Sequence, residues 1–212
     1  MIINGNSKRI LFKELIGDNY GIKEIEQNSI HSMVDLGAAY GTISILSRLM
    51  HPQMKIVAVE PHAITYRSLC ENIKNMDILS LNAAYGTGAD FYLEKERKML
   101  LCNHFTHIPS NSRKIKSVTL SEIVSRFKLD PDSLTIKMDT EGAEWYIFDN
   151  KEDIAILKKT KLFAAEIHAN TIDKNINSFF ADIAKLFEIS HNITFTKTAQ
   201  CLGMVKAFKI SY

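Results

Sequence analysis

Few cysteines and no long apolar run are found in this sequence, and both absences restrict what the chain can be. Its three cysteines, Cys70, Cys102 and Cys201, are odd in number and widely separated, so they fit neither a zinc pattern nor a disulfide framework. No stretch approaches the ~20 consecutive apolar residues of a membrane span. The first nine residues lack the basic, apolar and small-residue order of a secretory signal. These features favour a reducing cytoplasm as the location.

A strong excess of charge is also absent. The chain has 26 Lys and Arg against 24 Asp and Glu, which gives a net charge of +2 at pH 7. This balance argues against a globally basic nucleic-acid-binding protein. There is no internal repeat and no low-complexity linker. With 212 residues, 46% of them hydrophobic, the composition predicts one globular domain over residues 1–212.

Apolar runs alternate with helix-like segments, which predicts an α/β fold with a mostly parallel sheet flanked by helices. The predicted strands are 32–36, 55–60, 78–83, 134–139 and 162–167, with a late pair near 187–195 and 203–211. The predicted helices are 42–50, 63–75, 120–128, 152–159 and 172–186. Thr119 and Glu122 form a capping-box pattern at the start of the third helix. Residues 1–30 predict one helix, over about 8–16, followed by a connector.

Segment 84–117 interrupts this alternation. It contains the alternating run Ala89-Asp-Phe-Tyr-Leu93, followed by a polar stretch rich in His, Ser and Asn. More than thirty residues between two core strands exceed what a compact fold needs. Two interpretations stand. The segment is either a β-hairpin with a plain surface loop, or an insertion that acts as a lid and shapes the pocket for a substrate.

The glycine spacing after the first strand indicates the kind of nucleoside that the chain binds. Residues 34–41 read Val-Asp-Leu-Gly-Ala-Ala-Tyr-Gly, so Gly37 and Gly41 form G-x-x-x-G rather than the G-x-G-x-x-G of a dinucleotide site. Asp35 would repel a pyrophosphate but suits a cation. S-adenosylmethionine (SAM) carries an ammonium and a sulfonium and has no phosphate. Glu60, at the end of the second strand, can accept both ribose hydroxyls. We therefore predict SAM rather than NAD as the cofactor.

Charged residues near the ends of the fourth and fifth predicted strands are candidates for chemistry. Because strand side chains alternate between faces, Lys137 and Asp139 share one face, and so do Glu166 and His168. If the two strands are neighbours in register, Lys137 pairs with Glu166, which satisfies two buried charges. Asp139 then approaches His168 one step nearer the strand ends, where substrate would meet the cofactor.

Five blocks in order resemble the FkbM-type SAM-dependent methyltransferases, and together they cover roughly residues 30–170. They are Val34-Asp-Leu-Gly-Ala with Gly41, Glu60-Pro61, Val118-Thr-Leu-Ser-Glu-Ile, Lys137-Met-Asp-Thr-Glu-Gly-Ala-Glu144 and Glu166-Ile-His168. The resemblance implies a class I methyltransferase fold, which is Rossmann-like and doubly wound, with a mostly parallel seven-stranded sheet and helices on both faces. It also implies methyl transfer to a hydroxyl oxygen of a sugar, polyketide or related metabolite. The family usually has Asn where this chain has Ala39, and Asp where it has Ser121.

On this hypothesis the site divides into a cofactor part and a catalytic part. The predicted cofactor-binding residues are Asp35, Gly37, Ala39, Tyr40, Gly41, Glu60, Asn82 and Asp139. Asp35 and the backbone around Gly37 would hold the methionine moiety, and Asn82 the adenine edge. The candidate catalytic residues are His168, Asp139 and Glu141. His168 is the predicted general base because an ordinary imidazole pKa of about 6.5 lets it act near neutral pH, and Asp139 would orient it or the substrate.

Three alternatives remain open beside a metal-free transfer to a small-molecule or glycan acceptor. Asp139, Glu141 and His168 could form an oxygen-rich cage for Mg²⁺. RNA could be the acceptor, bound by basic clusters and by stacking on aromatic rings; the clusters are 95–98, 113–116 and 158–161, and the rings are Phe91, Tyr92 and Phe105. The chain could also be a SAM-binding protein with a lapsed catalytic site, on account of Ala39.

Overall fold

The computed structural model describes residues 17–18, 20–25, 30–93, 105–106, 114–169, 175–188, 190–199 and 202–209. The strands in these ranges are β1 Ser32–Leu36, β2 Lys55–Val59, β3 Ile78–Leu81, β4 Ala84–Tyr85, β5 Phe91–Leu93, β6 Phe105–Thr106, β7 Lys114–Ile115, β8 Ser117–Val118, β9 Leu134–Met138, β10 Leu162–His168, β11 His191–Ala199 and β12 Leu202–Lys209. The α-helices are α1 Thr42–Met50, α2 Ala63–Ile73, α3 Leu120–Phe127, α4 Lys151–Lys159 and α5 Ile176–Phe187. Short 3₁₀ helices span Lys23–Ile25, Pro131–Ser133 and Ala143–Phe148.

Seven strands form one sheet in the order β3-β2-β1-β9-β10-β12-β11. β1 pairs in parallel with β2 on one side and with β9 on the other, and β12 runs antiparallel to both β10 and β11. The chain therefore leaves β1 in one direction and returns on its other side, which creates a switch point between β1 and β9 where ligands bind in open α/β sheets. The predicted doubly wound, mostly parallel seven-stranded sheet is confirmed.

The sheet is buried on both faces because each face packs against helices. Side chains of β1 alternate, so that Met33 packs in one hydrophobic cluster while Val34 and Leu36 pack in the other. The first cluster includes residues of α1 and α2, and the second includes residues of α3, α4 and α5. All five side chains of β1 are buried, which explains why the strand reads as a nearly continuous apolar run interrupted by Asp35.

Over residues 32–168 the main strands and helices begin and end within two residues of the predictions, and the differences are larger towards the carboxyl end of the chain. α1 has the predicted bounds, and the capping box of Thr119 and Glu122 is present at α3. β2 and β9 each end one residue before the predicted end. β11 begins at His191, after the predicted start at 187, because α5 continues to the fully buried Phe187.

Segment 84–117 contributes short strands outside the main sheet. β4 pairs with β8 in parallel, while β5 lies between β6 and β7 and is antiparallel to both. β5 thus has an antiparallel neighbour on each side, while 94–104 and 107–113 lie outside the described residues, so the plain loop and the lid both stay predictions. The predicted helix at 8–16 also lies outside the described residues. No helix in the described part of the chain has the length and apolar character that crossing a bilayer requires.

Candidate methyl-transfer site

The glycine turn, residues 37–41, lies at the switch point after β1 and is held by the residues at the ends of β2 and β9. The N–H groups of Gly37 and Ala38 both donate to the carbonyl oxygen of Val59, at 3.0 and 2.9 Å. Gly37 has φ +75°, and a Cβ there would lie 1.7 Å from the carbonyl oxygen of Asp139. Glycine is therefore required at position 37, both for its backbone conformation and because the loop after β9 passes so close.

Asp35 is fully buried beneath this turn and pairs with Lys137. Its Oδ1 lies 3.1 Å from the Nζ of Lys137, and its Oδ2 accepts a hydrogen bond of 2.6 Å from the Ser44 hydroxyl. The Lys137 ammonium also donates to the carbonyl oxygen of Gly37 at 2.8 Å. Asp35 thus supports the glycine turn through Lys137, and a direct contact between Asp35 and a cofactor remains a prediction.

The expected pairing of Lys137 with Glu166 is wrong. The parallel register of β10 on β9 sets Ala164, rather than Glu166, beside Lys137. Glu166 is displaced two residues towards the carboxyl end of the sheet, where its Oε2 accepts a hydrogen bond of 3.2 Å from the Tyr20 hydroxyl. The charge of Lys137 is balanced instead within the β1–β9 pair, by Asp35.

Glu60 follows β2 and reaches the glycine turn, and its predicted contact with the ribose of a cofactor remains a prediction. Its Oε2 accepts from the N–H of Ala39 at 3.0 Å, and its Oε1 accepts from the N–H of His62 at 2.9 Å. Burial raises the pKa of Glu60 to about 7, against the lowering effect of these hydrogen bonds and of Lys137. Asn82 donates to the carbonyl oxygens of Glu60 and Pro61, at 2.8 and 3.0 Å, and so braces the chain after β2.

The remaining predicted cofactor-binding residues surround this contact. Ala39 adopts φ +50°, in the left-handed region. Tyr40 is half-buried, and its carbonyl oxygen accepts a hydrogen bond of 3.0 Å from the side-chain amide of Asn72. Gly41 has φ +85°, and a Cβ there would lie 2.6 Å from Leu69 Cδ1.

Asp139, Glu141 and His168 meet at the carboxyl ends of β9 and β10. One polar atom from each lies within 4.8 Å of the others. The Tyr20 hydroxyl lies 3.2 Å from Asp139 Oδ2 and is the same group that contacts Glu166. Sequence reasoning missed Tyr20, because it precedes Asp139 by 119 residues and nothing in its local pattern points to the site.

His168 is paired with a carboxylate at each ring nitrogen. Its Nδ1 lies 3.4 Å from Glu144 Oε1, and its Nε2 lies 3.8 Å from Glu141 Oε2. Burial alone would lower the pKa of His168, but the hydrogen bond and charge of Glu144, together with Glu141 and Asp139, raise it to about 9. The imidazole is therefore protonated at pH 7, and the ordinary pKa on which its predicted role as a base rested does not apply.

Glu141 has the protonation behaviour that was predicted for His168. Burial raises the pKa of Glu141 to about 7; the cationic His168 lowers it, and the neighbouring carboxylates of Asp139 and Glu144 raise it. A group with a pKa near the working pH is well matched to general base catalysis. Glu141 also has a backbone φ of +57°, an uncommon conformation for a residue with a side chain.

The cluster has the donor set of a charge pair, and the same three residues keep the metal cage as a second prediction. Asp139, Glu141 and His168 are the group among the described residues whose side chains could surround a cation. A metal ligand needs a nitrogen lone pair, so the histidine must be neutral. Here each ring nitrogen of His168 faces a carboxylate oxygen, so a metal at this place would need an unprotonated Nε2 beside Glu141 while Nδ1 keeps Glu144 as its partner.

The expected base-stacking surface is not formed by Phe91. This side chain is 1% exposed and packs edge-on against Tyr146, with ring centroids 5.5 Å apart. Of the basic clusters, Lys158 lies in the last turn of α4, where cations complement the helix dipole. Lys114 pairs with Asp90 at 2.7 Å.

The strand order, the glycine turn after β1 and the acidic residue after β2 define the class I methyltransferase fold. Solved structures with this fold include precorrin-6y C5,15-methyltransferase from Geobacter metallireducens, 13% identical with a TM-score of 0.51, covering 93% of this chain and 88% of that one. An rRNA methylase from Streptococcus thermophilus is 8% identical with a TM-score of 0.53, covering 92% and 97%. At these identities the likeness establishes the fold alone.

The family follows from the sequence match. The methyltransferase FkbM domain matches residues 35–193, and the chain therefore belongs to the FkbM methyltransferase family. Methyltransferase sdnD from Sordaria araneosa is 31% identical over 105 residues, which are 49% of this chain and 38% of that protein. The matched region thus spans well under two thirds of that relative's length.

Proposed function

We propose that the chain transfers the methyl group of SAM to a hydroxyl oxygen of a small metabolite, such as a sugar or a polyketide. One observation carries this proposal. The glycine turn with Glu60 and the cluster of Asp139, Glu141 and His168 lie at the same edge of the sheet, and Gly37 touches the backbone of Asp139. A cofactor seated on the turn would therefore have its reactive end beside the cluster.

The donor set at this edge suits SAM. SAM supplies an electrophilic methyl group on a sulfonium, and its positive charges favour a site rich in carboxylates. The turn 37–41 would hold the methionine moiety, Glu60 would accept from the ribose hydroxyls, and Asn82 would flank the adenine. The G-x-x-x-G spacing of Gly37 and Gly41 also differs from the G-x-G-x-x-G that seats the pyrophosphate of NAD.

The cluster would orient the acceptor and receive its proton. Alignment of the two reactants can lower a barrier by about 7–11 kcal/mol in favourable cases. The acceptor oxygen forms its bond to the methyl carbon as the carbon–sulfur bond breaks, and the hydroxyl proton passes to a base. With its pKa near 7, Glu141 is the group in the cluster that can hold that proton and release it again at neutral pH.

A transfer assay with SAM labelled in its methyl group tests the proposal on a panel of sugars, polyketide alcohols and RNA. We expect label in hydroxylated small molecules, undiminished by EDTA. Glu141→Gln should lower turnover by about 10²–10⁴-fold and leave the affinity for SAM unchanged. Glu152→Gln, an exposed carboxylate on α4, is the matched control and should behave as wild type.

Other outcomes of the assay would contradict the proposal. Label in RNA, with binding that weakens steeply as salt rises, would identify a nucleic-acid acceptor. SAM binding without transfer to any acceptor would indicate a lapsed catalytic site. Loss of transfer in EDTA, with recovery on adding Mg²⁺, would show that the cluster holds a metal.

A further inference from the structure

Glu144 is a fully buried carboxylate that the function described above does not use. It lies in the 3₁₀ helix Ala143–Phe148, just after the loop that carries Asp139 and Glu141. Its Oε1 accepts from the N–H and the hydroxyl of Thr140, both at 2.8 Å, and its Oε2 accepts from the N–H of Gly142 at 3.0 Å. These bonds fold residues 140–144 around the carboxylate.

The same carboxylate holds His168 from the neighbouring strand. Oε1 lies 3.4 Å from the Nδ1 of the ring, and Oε2 accepts from the backbone N–H of His168 at 3.4 Å. The next residue, Trp145, donates its indole N–H to the carbonyl oxygen of His168 at 2.8 Å. Two consecutive side chains of one short helix therefore fix both the ring and the main chain of His168.

Because Glu144 and Trp145 fix the orientation of His168, they also determine which group its second ring nitrogen faces. With Nδ1 directed at Glu144, Nε2 faces Glu141 at 3.8 Å. Among the described residues, the charged groups that raise the pKa of the ring are the carboxylates of Glu144, Glu141 and Asp139, and the charge of His168 also acts on Glu166. The Tyr20 hydroxyl contacts both Asp139 and Glu166, and Lys137 acts on Glu166 through its charge. The surroundings thus stabilise the doubly protonated ring.

We propose that Glu144 is a positioning residue for the transfer: it holds His168 as an imidazolium with Nε2–H directed at Glu141, and leaves Glu141 to accept the proton. This inference rests on the proposed function. The acceptor oxygen bonds to the methyl carbon, the carbon–sulfur electron pair stays on sulfur as a neutral thioether, and the hydroxyl proton moves to Glu141. His168 keeps both ring protons throughout, and its charge lowers the pKa of Glu141 against the effect of burial, which favours the ionised form that can accept the proton.

An NMR titration of the free protein tests the inference without cofactor or acceptor. The protein is labelled at histidine Cε1, and His168→Gln identifies the resonance. We expect a midpoint for His168 near pH 9 in wild type, a shift towards the ordinary value of about 6.5 in Glu144→Gln, and a smaller shift in Glu141→Gln, whose oxygen is more distant. Glu152→Gln, on the surface of α4, should leave the midpoint unchanged.

A wild-type midpoint at or below pH 7 would overturn the inference, and that measurement does not depend on whether Glu144→Gln folds. Glu144→Asp supplies a second variant, because it keeps the charge but withdraws it from the ring; its midpoint should lie between those of wild type and Glu144→Gln. Failure of methyl transfer alone would reject the proposed function and leave these titrations standing.

Once a methyl acceptor has been identified, the dependence of turnover on pH distinguishes Glu141 from His168 as the base. Turnover that reaches a plateau just above pH 7 is expected if Glu141 takes the proton. Turnover that continues to rise up to pH 9 would show that deprotonated His168 is the base, and would reject the role given to Glu144.

Discussion

Ala39 occupies a position whose backbone conformation suits Gly or Asn better than Ala. It lies in the middle of the glycine turn with φ +50°. The left-handed region costs an ordinary L-residue roughly 1–2 kcal/mol, whereas Gly and, to a lesser degree, Asn adopt it readily. The Asn usual in the family therefore suits the backbone at this position. The contact that Ala39 makes with Glu60 uses its main-chain N–H, so that contact does not depend on the side chain.

We expect Ala39→Asn and Ala39→Gly to raise the free energy of unfolding by about 0.5–1 kcal/mol, because each relieves left-handed strain. Urea denaturation at constant pH measures the change. Ala39→Val is the matched control, and should lower the free energy of unfolding, since a β-branched side chain is more strained there. Equal stability of all three variants would show that the turn is not strained at this residue.

Asp35 and Lys137 form a buried pair whose partners depend on each other. We expect Asp35→Asn to cost about 3–5 kcal/mol of stability, because it removes the carboxylate that lies 3.1 Å from the buried Lys137 ammonium. The double variant Asp35→Asn with Lys137→Met should recover much of that loss. A double variant that is less stable than either single variant would mean that the pair contributes mainly through the hydrogen bond from Lys137 to Gly37.

At the scale of elements, the site depends on how closely the loop after β9 approaches the turn after β1. Gly37→Ala would place a Cβ 1.7 Å from Asp139 O, so the two strand ends must separate. Gly88 provides the matched control, since its φ of +86° is similar and no atom of the described residues lies within 4 Å of the added carbon.

We therefore expect Gly88→Ala to cost about 1 kcal/mol through backbone strain alone, and Gly37→Ala to cost several times more or to prevent folding. Thermal unfolding of the two variants, with intrinsic fluorescence of the single tryptophan, Trp145, as a second probe, measures the difference. Similar losses in both variants would contradict the close approach.

The elements themselves could be predicted from local signals, but their contacts could not. Helix α1 and the capping box of Thr119 and Glu122 follow from apolar spacing and a cap that acts within four residues. The register of β10 on β9 has no local signal, because parallel strands are joined through distant segments. This is why the partner of Lys137 was predicted incorrectly, while the meeting of Asp139 with His168 was anticipated.

The residues of the candidate site also divide into those with a local sequence signal and those without one. The places of Glu60 and the glycine turn could be predicted from the sequence, since both lie at strand ends that the pattern reveals, whereas their binding of a cofactor remains a prediction. Tyr20 was missed, because a tyrosine after a connector carries no signal by itself. Glu144 closes the block 137–144 that resembles the family, but its place in the sequence provided no reason to assign it a role. The raised pKa values of Glu141 and His168 also depend on burial and on neighbours from other strands.

At the scale of the whole molecule, the acidic edge of the sheet makes stability depend on pH. The pKa values of Glu60 and Glu141 are raised from 4.5 to about 7, so the folded state holds protons that the unfolded chain has released between those values. Their combined effect lowers stability as pH rises from 4.5 to 7. Because the pKa of His168 is raised in the folded state, its protonation stabilises the fold. This contribution is complete below about pH 6.5 and is lost as pH rises through about 9.

We therefore expect the free energy of unfolding to fall by about 1 kcal/mol or more from pH 5 to 7, and again from pH 7 to 9. Urea denaturation at constant ionic strength measures both steps. Glu60→Gln with Glu141→Gln should flatten the first step, and His168→Gln the second. Stability that rises across this range would contradict the protonation states assigned to the site. Glu144, whose pKa is lowered, contributes in the opposite direction below its ordinary value of 4.5.

The sheet brings a turn from β1, a carboxylate from β2 and a charged cluster from β9 and β10 to one edge, and the central claim is that SAM binds there. Calorimetric titration with SAM, with its demethylated product and with NAD tests that claim most directly. We expect both sulfur nucleosides to bind with dissociation constants on the order of micromolar, and NAD not to bind. Glu60→Ala should abolish the binding, and Glu71→Ala, an exposed carboxylate on α2, should retain it. Absence of binding by either sulfur nucleoside, or equal binding of NAD, would contradict the account.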